Sequence, residues 1–366
     1  MNTMPIKGNK GEWSEFYALI KILTDKKIFA ADENLEILQD KVFLVLKIIR
    51  EEAKMGINTY DIEAKKNAVV IYDEENKMLG TVQSEKIKKS VSKIFERMKQ
   101  GGEATFAISS ADQIMKELFC TQIKASSGSK SDLTLIIHDR ISSTLPELGF
   151  SIKSMLGSPS TLLNASGATN FVYRIEDLKN NKTQEINDIT GHSKLRDRAK
   201  IIYGNKGKLI FEGLDNDSFK KNLCMIDTVL PEILAELLKI YYDGKASTMR
   251  ELVDILSQNK ELSAKYGFNK EVYEFKIKNF LVAIALGMTP NKKWDGFTKA
   301  HGGYIIVRED GELVCYHLYN RDEFQNYLYK NTKLDTPSTT RHKFGSIYEE
   351  NGKKKVKYNL QIRFIK

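Results

Sequence analysis

Two short apolar runs do most to fix what this chain can become. Lys130, Ser131 and Asp132 lead into Leu133, Thr134, Leu135, Ile136 and Ile137, and a second run follows at Gly149, Phe150, Ser151, Ile152, Lys153 and Ser154. Each reads as a buried strand with polar residues at one end, which puts a sheet at the centre of the fold. Side chains alternate along a strand, so Ser151 and Lys153 share a face and Ile152 points to the other. A Lys on the face of the core-facing run needs a partner, and Asp132, opening the preceding strand, can supply it. An acid, a second oxygen and a Lys at one end of a hairpin form the donor set of a Mg²⁺-dependent nuclease. The carboxylate holds the metal, and the Lys positions or activates the attacking water. The same residues also fit plainer roles: Asp132 satisfied by backbone amides, and Lys153 snorkelling at the surface.

The charge balance points the same way. With 57 Lys and Arg against 48 Asp and Glu, the chain carries +9, which favours a polyanionic partner, nucleic acid ahead of an anionic membrane. Cys120, Cys224 and Cys315 are odd in number and far apart, so they offer neither a disulfide framework nor zinc spacing. The longest apolar stretches, such as 280–286, are too short to span a bilayer, and the polar N-terminus has no signal-peptide core. A soluble, cytoplasmic protein of a reducing compartment is expected.

A coarse pass along the chain places these runs. Trp13, Phe16, Tyr17, Ile20 and Leu23 mark a helix over 11–25. Val42, Phe43, Val45, Leu46 and Ile49 predict a second helix over 35–55, ending before Gly56. Strands are expected near 59–62 and 68–72. Ser84 is expected to cap a helix whose Lys86, Lys89, Lys93 and Arg97 form a solvated face. The polar run 158–170 reads as a long functional loop before a strand at 171–175. Helices follow over 218–227, 231–242, 248–258 and 271–286. A hairpin joins 304–307 to 313–316, then comes a helix over 321–330, and strands close the chain. A soft boundary near 180 divides 1–179, which holds the acid and Lys, from a helical and then β-rich 180–366.

Three segments together carry a family resemblance. Lys7, Gly8, Asn9, Lys10, Gly11, Glu12, Trp13, Ser14 and Glu15 look like the first helix of HpaII-like type II restriction endonucleases. Phe150 to Ser154, with Gly157, Ser158, Pro159, Ser160 and Thr161 behind it, resembles that family's catalytic strand and loop. Asp335, Thr336, Pro337, Ser338, Thr339, Thr340, Arg341 and His342 are similar to its C-terminal signature. The resemblance implies a restriction-endonuclease-like α/β fold of the PD-(D/E)xK class: a central mixed β-sheet flanked by helices, plus a helical and β-rich C-terminal part. It implies a hydrolase that cuts both strands of DNA with Mg²⁺ at a short palindrome. The family's namesake site is CCGG, and a companion DNA methyltransferase would protect it.

Carried over residue by residue, Asp132 becomes the metal-binding acid and Lys153 the catalytic Lys. Glu15, ahead of Glu12, becomes the acid of the first helix and a second metal ligand. Ser151 stands where the family pattern commonly has an acid, and Ser131 where it has Pro. Base recognition needs donors and acceptors that reach groove edges. Arg341 and His342, with Ser338 and Thr339, are the first candidates, then Asn164 and Asn170, while Lys130 suits phosphate. Cutting both strands of a palindrome makes a homodimer natural. Two other classes fit part of the pattern. One is a non-catalytic DNA-binding protein with a nuclease-like fold, left open by Ser151; the other is an RNA-acting enzyme, which the charge alone would equally support.

Overall fold

A strand of 16 residues, Ile37–Glu52, organises the first part of the chain. The computed structural model describes every residue except 1–5, 54, 103, 125–130, 139–143, 180–181, 299, 318–319 and 366. The helix expected over 35–55 is therefore a strand. Its run is rich in Val, Ile and Phe, and apolar residues spaced three and four apart also suit a strand that packs on both faces. Pairing with neighbouring strands decides the outcome. The strand lies antiparallel to Lys27–Ala31 at its start, and to both Gly56–Lys65 and Leu133–His138 further on. Its pairing with Leu133–His138 shifts register between Val45 and Lys47.

The contacts group the chain into two compact units, Met1–Ser160 with Thr298–Tyr327, and Thr161–Phe297 with Leu328–Ile365. A single cut near 180 would have assigned the hairpin Gly303–Val307 and Leu313–His317 to the second part, but its strands pair within the first unit. There a nine-stranded mixed sheet contains two parallel pairings, Gly303–Val307 beside Glu147–Ser154 and Leu313–His317 beside Lys27–Ala31. Lys27–Ala31 also pairs with Ile37–Glu52, which closes six of the strands into a ring.

The helices Lys10–Asp25, Ser84–Gln100 and Ser109–Glu117 bury their apolar stripes in the same core as the sheet. That core takes Trp13, Phe16, Leu19, Ile48, Leu133, Leu135, Phe150, Ile152 and Ile305. Full burial of each large side chain contributes about 1.5–3 kcal/mol, offset by ordering entropy. Ser84 starts its helix without capping it: Gln83 holds the cap position and makes no side-chain bond there. Lys86 of this helix pairs with Glu117 at 2.5 Å, as a solvated face does.

The second unit is helical and β-rich. Lys208–Leu214, Asn170–Glu176, Lys353–Asn359 and Ile347–Glu350 form a four-stranded antiparallel sheet. The helix Leu230–Tyr242 is tied to it by Tyr173 Oη donating to Ala235 O at 2.7 Å and by Tyr242 stacked on Tyr358. The run 158–170 is not all loop, because Thr161–Leu163 pairs with Ile362–Phe364 in a separate three-stranded sheet. Among the described residues no helix is long and apolar enough to cross a membrane.

Candidate active site

The two runs that opened the sequence are neighbours, paired antiparallel with Leu133 opposite Phe150 and Thr134 opposite Gly149. Asp132 N donates to Phe150 O at 2.9 Å, which extends the pairing and sets Asp132 beside Ser151. Ser151 Oγ donates to Asp132 Oδ2 at 3.1 Å, and Ile152 N donates to the same oxygen at 2.6 Å. Both bonds fall on Oδ2, so Oδ1 is the oxygen that can take another ligand. Gly149 leaves room for the Ser131 side chain, which a Cβ there would meet at 2.9 Å.

The apolar core takes the face of Leu133, Phe150 and Ile152, and strand alternation puts Ser151 and Lys153 on the opposite one. This corrects the expectation that Lys153 shares the core-facing side. What lies beside it is aromatic. Tyr304 is paired in register with Ser151, and Lys153 Nζ stands 5.4 Å from the Tyr304 ring centre. Burial first, then Tyr327 and the Asp132 carboxylate, push the Tyr304 hydroxyl well up from its ordinary value. Tyr304 stays neutral, and it feels the charge of Asp132.

The first helix reaches the site from its N-terminus. Asn9 caps it, accepting from Glu12 N at 3.0 Å while Glu12 Oε2 accepts from Asn9 N. The other Glu12 oxygen meets Lys124 Nζ at 2.6 Å. Glu12 therefore has both oxygens in structural use. Ser14 is fully buried, and its Oγ lies 2.7 Å from Lys10 O and 2.7 Å from Ser154 Oγ. That hydroxyl pair fixes the helix against the Lys153 strand. A cavity of about 570 Å³ results, lined by Glu12, Glu15, Lys153, Ser154 and Ser158 among others.

The structure thus brings Asp132 and Ser151 into contact, and Glu15 and Lys153 into one cavity. Asp132 does not line that cavity. Among the described residues no group of three or more His, Cys, Asp and Glu stands ready to hold a metal. Mg²⁺ commonly needs only one or two carboxylates beside water and phosphate oxygens, and Asp132 and Glu15 are donors of that kind. The histidines add none. His317 is buried against Phe43 and Phe150, and His301 bonds Glu147 O.

One supporting element escaped the sequence. Arg50 and Glu52, each 2% exposed, form a buried ion pair. Glu52 Oε2 accepts from Thr121 N and Oγ1 at 2.6 and 2.8 Å, and Arg50 donates to Gln122 O at 2.9 Å. The pair anchors the segment that carries Lys124, and Glu15 lies within electrostatic reach of both Arg50 and Lys124. A helix over 35–55 could not have suggested it.

The residues expected to read bases lie in the second unit, except Lys130, which is outside the described residues. Arg341, Ser338 and Asn164 are exposed. Ser338 Oγ caps the four-residue helix Thr339–His342 by accepting from Arg341 N. His342 is held below its ordinary value by burial and then by Arg341. Asn170 departs from the expectation. It is 2% exposed, donates to Asp215 and to His342 O, and accepts from Asn359 Nδ2 at 2.7 Å. Its amide is committed inside the unit and cannot reach a base edge.

Comparison with known proteins covers nearly the whole chain. The profile of the HpaII restriction endonuclease family matches residues 9–364. The chain is 42% identical over 358 residues to the type II restriction enzyme HpaII of Haemophilus parainfluenzae, covering 98% of each. No solved structure matches. The stretch common to the family takes in Glu15, Asp132, Ser151, Lys153 and the 335–345 segment, and this chain belongs to the HpaII restriction endonuclease family.

Proposed function

We propose that this protein is a type II restriction endonuclease that hydrolyses both strands of duplex DNA at a short palindrome, with a restriction-endonuclease-like core of the PD-(D/E)xK class in its first unit. The single observation that carries the reading is the Asp132–Ser151–Ile152 contact, on the strand that also delivers Lys153, in a chain whose family is shown over its length. CCGG is the first site to test, on the strength of the family resemblance. A homodimer would present two such sites to the two strands, and a companion methyltransferase would protect host DNA.

Asp132 and Glu15 are carboxylate donors of the kind Mg²⁺ takes. Asp132, through Oδ1, and Glu15 would hold it, and when bound it would neutralise charge on the scissile phosphate. Ser151 cannot replace a carboxylate, because a neutral hydroxyl brings no charge. Its bond to Oδ2 instead orients Asp132, and Glu15 supplies the second acid. Lys153, stationed over Tyr304, would donate to the attacking water or to a phosphate oxygen and stabilise the negative charge that develops as the water's proton leaves to solvent. The Ser14–Ser154 pair keeps Glu15 and Lys153 on one cavity.

The test is incubation of the purified protein with phage DNA and Mg²⁺, beside the Asp132→Ala and Lys153→Ala variants. Discrete fragments from the wild type alone support the reading. Full activity in either variant sinks the assigned mechanism.

A further inference from the structure

The second unit contains a groove of about 450 Å³ lined by Lys194, Arg198, Thr339, Thr340, Lys343 and Lys357, and no carboxylate lines it. Lys357 is neutralised by Asp215 at 2.7 Å. Lys194 and Lys343 form no ion pair among the described residues. The floor is more telling. Arg198 is 8% exposed, and its guanidinium bonds only neutral acceptors: Gly345 O at 2.6 Å, Ser346 Oγ at 3.1 Å, Asn187 O at 2.6 Å and Ile189 O at 2.8 Å. Its Nε is buried with no partner at all.

A buried cation without a counter-charge is costly, and the cost falls when an anion settles nearby. The protein keeps this one in place and rings it with two more positive charges and two hydroxyls. Lys and Thr side chains of this kind contact phosphate oxygens, which positions a protein on a duplex without reading its sequence. Lys343 and neighbouring Arg341 are exposed, which suits a continuous strand of phosphates better than an enclosed small anion.

We propose that this groove is a clamp for the phosphate backbone of duplex DNA, with Lys194 and Lys343 as the contacting cations and Arg198 as the fixed charge beneath them. The inference rests on the restriction-endonuclease reading and deepens it, because it gives the second unit a gripping role separate from the reading of bases.

The test is fluorescence anisotropy of the full chain with labelled duplexes in EDTA, over a series of KCl concentrations. Wild type is compared with Lys194→Ala/Lys343→Ala, and thermal unfolding checks that the variant folds. Each lost phosphate contact lowers the slope of log K against log salt by about 0.9, so the double variant should lose about 1.8. A duplex bearing the recognition site and one lacking it should weaken by the same factor. If the variant keeps the wild-type slope while wild type binds DNA, the clamp is overturned and the restriction reading stands. If inorganic phosphate stabilises wild type but not the variant while the DNA slopes agree, the groove is a free-anion site and the proposal falls. If wild type binds no duplex, both fall.

Discussion

Removing one hydroxyl at the site distinguishes two roles for Ser151. If Ser151 positions Asp132, Ser151→Ala deletes the 3.1 Å bond to Oδ2 and leaves the 2.6 Å bond from Ile152 N intact. A hydrogen bond to a charged group contributes about 1.5–3 kcal/mol. The deleted bond is the longer of the two and only half-buried, so the low end applies. At about 1.4 kcal/mol per tenfold in rate, cleavage should slow by about tenfold. The assay is single-turnover cleavage of a plasmid with Mg²⁺ titrated. A slower plateau rate and an unchanged Mg²⁺ midpoint are expected, while Asp132→Ala loses about 10²–10³, as removal of a principal charge-stabilising group does. A Mg²⁺ midpoint raised severalfold in Ser151→Ala, or a loss equal to that of Asp132→Ala, would refute the positioning role and make Ser151 a ligand.

Further outcomes follow from the same geometry. Lys153→Ala should lower the single-turnover rate by about 10²–10³ while duplex binding in Ca²⁺ holds, and weakened binding instead would make Lys153 a ground-state phosphate contact. Glu15→Gln should raise the Mg²⁺ midpoint and Glu12→Gln should not; the reverse result in that titration would exchange their roles. Burial pushes the Glu12 carboxyl up, but the Lys124 ammonium and the Asn9 amide outweigh it and hold it below the usual range. Its contribution to stability is thus present above pH about 4.5 and lost as pH falls through the lowered value. Urea unfolding of Glu12→Gln should show a deficit of about 1 kcal/mol at neutral pH that closes in acid. Asn170→Ala should destabilise by about 1–3 kcal/mol, since it strands Asn359 and His342 O, and equilibrium unfolding reads this directly.

The parts of the fold that were legible in the sequence were the local ones. The apolar runs at 133–137 and 149–154 were enough for two strands with Asp132 and Lys153 at their polar ends, and the apolar stripe of Trp13, Phe16 and Tyr17 was enough for the first helix. The strand Ile37–Glu52 was not legible, because spacings of three and four satisfy a helix and a strand buried on both faces alike. Its pairing on both edges, with the adjacent hairpin strand Gly56–Lys65 on one side and the distant Leu133–His138 on the other, settles it. The same holds for Gly303–Val307, whose parallel pairing with the Lys153 strand crosses about 150 residues of chain. The Arg50–Glu52 pair depended on that strand. Asn170 shows a different limit. An amide beside a strand looks the same in sequence whether it meets solvent or, as here, the Asn359 amide and a carbonyl. Asp132 was expected to partner Lys153, but among the described residues no ion pair joins them: Asp132 bonds Ser151 and Ile152 N, and Lys153 stands over Tyr304. The reach of the first helix to Lys153 depends on Ser14 and Ser154, which nothing in their types advertises.

The role proposed for Asp132, Glu15 and Lys153 is Mg²⁺-dependent, site-specific cutting of duplex DNA. Sequencing the ends of plasmid digested by the purified protein tests it most directly. The account predicts that every cut end falls at one position within one short palindrome, only when Mg²⁺ is present, and that Asp132→Ala leaves the plasmid intact. Intact plasmid with the wild type, or ends scattered without a common sequence, would contradict it.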